Sequence, residues 1–85
     1  MMVTHVPLLL LSSLLVPLRA GAGDRADELF SLAMQMREEK PDEARPLFIE
    51  AALRFESKEQ FLNAGNSWFF AGENGRALAN YRAAH

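Results

Sequence analysis

The sequence predicts an all-α protein, with antiparallel helical hairpins stacked one on the next behind a short apolar leader. Three observations predict it. Apolar residues recur at helical spacing in four stretches that are poor in β-branched residues. Pro41, Gly72 and the Asn74-Gly75 pair punctuate these stretches where helices stop or start. The last two stretches also repeat small and aromatic residues of the first two, about 33 positions further on.

The leader comes first. Val6 to Leu18 reads VPLLLLSSLLVPL and carries no charge. A bilayer span needs roughly 20 apolar residues, so this run is too short to cross and instead suits the hydrophobic region of a secretory signal. Ala20-Gly21-Ala22 supplies small residues for a signal peptidase, with cleavage expected after Ala22 and Ala20 as the alternative. Met1 to His5 lacks the Lys or Arg that usually opens such a signal. An N-terminal helix or tail that is never cleaved is therefore the competing reading. No Cys follows the run, so a lipoprotein anchor is not expected. The organisation read from the sequence is a signal peptide over 1–22 and a helical domain over 23–85. The domain holds hairpins at 24–55 and 58–85, the second unfinished. Cleavage would leave 8 basic and 11 acidic residues, a net charge of -3.

In the first helix, Asp24 is the expected N-cap, with Asp27 three residues on as a capping-box-like partner. Ala26, Leu29, Phe30, Ala33 and Met34 form its apolar stripe, widened by Leu32 and Met36. It should stop near Lys40, because Pro41 disfavours helical geometry in the residue before it. The second helix is expected to start at Pro41 or Asp42. It places Ala44, Leu47, Phe48, Ala51, Ala52 and Phe55 on one face, with a local distortion at Pro46. The third should run from about Lys58 to Ala71 on Phe61, Leu62, Ala64, Trp68 and Phe69, closed by a left-handed Gly72. Asn74 is the expected cap of the fourth, Gly75 to Ala84.

Ala44, Phe48 and Ala51 of the second helix recur as Ala77, Tyr81 and Ala84, each at an offset of 33. Leu29, Leu32, Ala33 and Met36 of the first pair with Phe61, Ala64, Gly65 and Trp68 of the third at an offset of 32. The missing residue is assigned to the turn at Lys40-Pro41. Packing explains the pattern. Small residues such as Gly65 and Ala77 let two helices approach, large ones such as Trp68 and Tyr81 fill the space beside them, and each hairpin buries its open face on the next.

The run Phe61, Ala64, Gly65, Trp68, Gly72, Ala77, Tyr81, Ala84 resembles one tetratricopeptide (TPR) repeat. Phe61 stands where Trp is usual and Ala64 where Leu is usual, and the closing Pro of the pattern would fall beyond His85. The first repeat, Leu29 to Phe55, matches more loosely. A narrower likeness rests on Asn63-Ala64-Gly65-Asn66, and on Gly72 and Gly75-Arg76-Ala77 followed by Tyr81-Arg82. These words are similar to the exported TPR proteins of bacterial aerotolerance (Bat) operons, the BatE family. The resemblance implies an exported, periplasmic or secreted scaffold for protein binding at the cell envelope. In such proteins the inner face of each hairpin's first helix binds extended peptides, which by carry-over implies a groove at Leu62, Asn66, Phe69 and Phe70. Burial of Phe69 and Phe70 against a further helix or a second copy is the competing reading. Relatives that clamp a peptide carboxylate use Lys and Arg there; only Lys58 is nearby, so no such clamp is expected. Members of this family often continue into a membrane helix and further domains. The alternative function is thus the front end of a longer membrane-linked TPR protein.

Other chemistries find little support. A net charge of -2 offers no attraction for nucleic acid, and membrane contact is expected only through an uncleaved leader. With no cysteine there is no disulfide framework and no thiolate site. Glu38, Glu39, Asp42 and Glu43 cluster at the first turn without the Asp/Asn/Gly loop of a calcium site, so they read as solvated. The two histidines, His5 and His85, lie at the two ends, and neither is placed as a general base. No enzyme activity, cofactor or metal is expected. Expected partners are another protein or peptide, or a second copy of the chain.

Overall fold

The computed structural model describes residues 25–85. The leader, the cleavage position at Ala22 and the Asp24 cap lie outside the described residues. Among the described residues there are four α-helices and no strand. Helix α1 covers residues 25–36, α2 Pro41–Ser57, α3 Phe61–Phe70 and α4 Asn74–Ala84. The connections are only three or four residues long, 37–40, 58–60 and 71–73. Links this short fold each helix back against the one before it.

Two of these connections share one hydrogen-bond pattern. After α3, Gly72 takes φ 86° and its N–H donates to the Phe69 carbonyl at 3.0 Å, while the Glu73 N–H reaches back to Trp68 at 2.9 Å. After α2, Glu59 takes φ 59°, with its N–H on Glu56 at 2.9 Å and the Gln60 N–H on Phe55 at 2.9 Å. Both are Schellman stops, which satisfy carbonyls that a helix end would otherwise leave open. The residue completing each stop is also the N-cap of the next helix, Gln60 for α3 and Glu73 for α4. None of the three helices α2, α3 and α4 has a side-chain cap.

These turns correct several sequence expectations. Asn74 does not cap α4; it is the first helical residue, because the stop at Gly72 hands the cap to Glu73. Helix α3 begins at Phe61 and not at Lys58, since Lys58, Glu59 and Gln60 are spent on the turn. Helix α2 starts at Pro41, one of the two expected positions, with Lys40 as its N-cap and the proline where a missing N–H costs nothing. The helix continues through Pro46.

The core is built from alanines and a few large side chains in three connected clusters. Ala26 and Leu29 of α1 meet Ala51 and Phe55 of α2 and Ala64 of α3. Ala33, Ala44, Phe48 and Ala71 form the second cluster, and Ala52, Trp68 and Ala77 the third. Helix α3 thus packs on both α1 and α2, and α4 packs on α3. Gly65 makes the last contact possible, because a Cβ at that position would lie 2.6 Å from Cε1 of Tyr81. The α1–α3 pairing at an offset of 32 does not hold. Leu32 is 45% exposed where its assigned partner Ala64 is fully buried. The α1–α2 connection is one residue longer than the α3–α4 connection, the reverse of what that offset requires.

Polar side chains tie the helices together. Oε2 of Glu56, at the end of α2, accepts the indole N–H of Trp68 at 2.7 Å and the amide of Asn80 at 2.8 Å. The second amide hydrogen of buried Asn80 goes to the Arg76 carbonyl at 2.9 Å. Arg45 spans the same two layers elsewhere, donating to the Ala71 carbonyl at 2.9 Å and to Glu73 at 2.6 Å. Truncating Glu56 strands two donors at once, so Glu56→Ala is expected to cost about 2 kcal/mol, and Glu56→Gln, which keeps a carbonyl acceptor, less. Thermal melts of the three proteins followed by circular dichroism check this, and equal midpoints would contradict it.

Candidate protein-binding surface

Leu62, Asn66, Phe69 and Phe70 follow the spacing that lines up one side of a helix. The structure divides them. Leu62 is 59% exposed and Phe69 54% exposed. Asn66 and Phe70 are half-buried. Oδ1 of Asn66 accepts the Tyr81 hydroxyl at 2.7 Å, which leaves its amide hydrogens to face a ligand. The Phe70 ring stacks on Phe48 at 5.5 Å and meets Phe30 edge-on at 5.9 Å, with the Arg37 guanidinium 4.9 Å above it. Phe70 therefore belongs to an aromatic cluster joining α1, α2 and α3, and the outward apolar groups are Leu62 and Phe69.

The three consecutive aromatics take three directions. Trp68 enters the core, with its N–H on Glu56 and the Arg76 guanidinium 4.8 Å over its ring. Phe69 faces solvent, and Phe70 turns towards α1. Beside them a small cleft opens between α1 and α3, lined by Asp27, Phe30, Phe55, Asn63 and Asn66. Helix α3 itself carries no charged residue. An apolar stripe next to polar, uncharged amides suits a peptide backbone and its apolar side chains better than an ion or a polyanion.

The residues assigned to repeat packing fall as follows. Ala44, Phe48, Ala51, Ala64, Gly65, Trp68 and Ala77 are buried. Phe61 and Tyr81 are half-buried, and Gly72 is the exposed left-handed turn residue. Ala84 is exposed, in contrast to its counterpart Ala51, because no helix among the described residues packs on the far side of α4. Ala84 instead borders an open cleft with Phe61 and Leu62. Sequence reasoning missed the polar ties. Asn80 was legible in principle, since it lies three residues after Ala77 on the buried side of α4.

Among the described residues no three of His, Cys, Asp and Glu come together as a metal site. No described helix is long and apolar enough to cross a membrane. No family model, curated protein or solved structure matches the chain.

The division of the stripe makes a direct expectation. Phe70→Ser removes a packed ring and should cost about 3 kcal/mol, whereas Phe69→Ser should stay within about 0.5 kcal/mol. Urea unfolding of both variants tests it; comparable losses would place Phe69 in the core as well.

Proposed function

We propose that this chain is an exported scaffold of the tetratricopeptide type that binds an extended segment of another protein at the cell envelope. The observation that carries the reading is the pair Leu62 and Phe69, each more than half exposed on a helix without charge. Large apolar groups left in water beside a preformed groove favour association, since covering them recovers hydrophobic free energy. Seven helical residues separate the two, about 10 Å along the axis. An extended ligand covers about 10 Å in three residues. The preferred ligand is thus an extended segment with apolar side chains three positions apart, its backbone met by the Asn63 and Asn66 amides. The TPR-like run from Phe61 to Ala84 supports the same reading, as does the packing of each described helix on its neighbours.

A second reading shares this surface and differs in where function resides. In it the chain is the front end of a longer membrane-linked protein of the same type. The open cleft lined by Phe61, Leu62, Ala83 and Ala84 favours it, because a following helix of that protein would seat there.

Peptide-display selection against the chain is expected to enrich ligands with paired apolar residues. Binding should fall about tenfold or more in Leu62→Ser and Phe69→Ser, at unchanged thermal midpoints. Ligands that bind both variants normally would remove the groove from the account. For export, the chain fused to a reporter active only outside the cytoplasm should give activity and a product beginning at Gly23, or at Gly21 if Ala20 is the cleavage position. A cytoplasmic, unprocessed product would reject the signal.

A further inference from the structure

Charge is unevenly divided along the stack. Residues 25–57 hold eight acidic and five basic residues, and residues 58–85 hold two acidic and three basic ones, with His85 neutral. The only charges of α4 are Arg76 and Arg82. Arg76 is engaged by the Trp68 ring and by Glu73 at 4.0 Å. No acid among the described residues pairs with Arg82. At the other end of the described helices, Glu28 on α1 has among the described residues one exposed ion pair, to Arg25 at 3.7 Å.

Apolar groups mark the same two ends. On α4, Leu78 is 48% exposed and lies one turn before Arg82. On α3, Leu62 and Phe69 are exposed too, and Leu62 and Phe61 share an open cleft with Ala83 and Ala84 of α4, so α3 and α4 together present an open apolar shelf. On α1, Leu32 is 45% exposed and lies one turn after Glu28, on the side turned away from Phe30 and Phe70. Within the chain, α3 already sits on a shelf of this kind, made by α1 and α2.

We propose that copies of this chain stack head to tail, with α1 of one copy seated on the shelf of α3 and α4 of the next. The spacing selects an antiparallel contact between α1 and α4. Leu78 and Arg82 are four residues apart, as are Leu32 and Glu28 in the opposite order, so Leu32 covers Leu78 where Glu28 meets Arg82. The arrangement continues the antiparallel order of neighbouring helices inside the chain. It brings the acidic hairpin of one copy against the basic helix of another, whereas like-to-like pairing of the ends would oppose similar charges. The contact is heterologous, so each copy leaves a free end for the next and assembly passes beyond the dimer, as an open filament or as a ring where the rotation closes. The proposal rests on the reading of Leu62 and Phe69 as a docking surface and names a second copy as an occupant.

The test uses the protein in its natural processed form, with its N-terminus read by mass spectrometry, in sedimentation velocity over a wide concentration range. The expected result is a mass that rises past the dimer with concentration and falls with added salt. Glu28→Arg and Arg82→Glu should each weaken association about tenfold at unchanged thermal midpoints. An equimolar mixture of the two should associate again, because each mixed junction restores opposite charges. A mass that stops at two, or a mixture that fails to recover, overturns head-to-tail stacking. A monomer at every concentration overturns it too. If that monomer still selects peptides through Leu62 and Phe69, the groove reading stands without the stacking; if it selects none, both fail.

Discussion

A single carboxylate oxygen, Oε2 of Glu56, receives the indole N–H of Trp68 and the amide of Asn80. It sits at the last turn of α2, and its two donors belong to α3 and α4. A half-buried carboxylate with two well-placed donors is a strong acceptor, and each donor is costly to leave unpaired. The contact therefore sets how far α4 can rotate or slide about α3. Much of the rest follows from that placement. Trp68 can lie flat against Ala52 and Ala77 because its one polar atom has been satisfied. Tyr81, one turn of helix beyond Ala77, can then press on the bare backbone of Gly65 and send its hydroxyl to Asn66.

The two hairpins are also joined by a second means. Phe30, Phe48 and Phe70 form a three-ring cluster with centroids 5.5 to 5.9 Å apart, so aromatic packing joins α1, α2 and α3 in addition to the polar ties that Glu56 and Arg45 make from α2. Arg37 closes one side of the cluster over Phe70. The outcome is a helix α3 with one wall committed on every side but one. Its remaining wall carries Leu62 and Phe69 and no charge, and the docking proposed for this surface rests on that wall.

The helices and their apolar faces were legible because helical periodicity is a local signal. The stripe of α2 from Ala44 to Phe55 is buried or half-buried at every position named from the sequence. Gly72 was legible too, since a left-handed stop favours a residue without Cβ. The equivalent stop at Glu59 was not, because nothing in that residue type announces a positive φ. That unseen turn also shortened α3, and at the far side of α3 the Gly72 stop moved the α4 cap from Asn74 to Glu73. Phe70 was assigned to the groove by carry-over from the tetratricopeptide resemblance, with burial against another helix as the competing reading. Only the crossing of α1 over α3 reveals that Phe30 meets its ring. Glu56 stayed invisible for a similar reason, since its partners lie 12 and 24 residues away.

The left-handed Glu59 has a consequence for how the chain is threaded. A side-chain-bearing residue in that conformation holds roughly 1 kcal/mol of backbone strain, released when the segment straightens. The strain lies in the only connection that joins the two hairpins. A straightened 58–60 would merge α2 and α3 into one long rod and carry the second hairpin away to dock on a neighbouring chain. The closed form holds because the hairpins share buried residues and the Glu56 tie, and those same contacts would re-form between exchanged halves. Exchange of hairpins between chains thus relieves the turn without loss of interior packing. What favours the closed form within one chain is the high local concentration of its own second half.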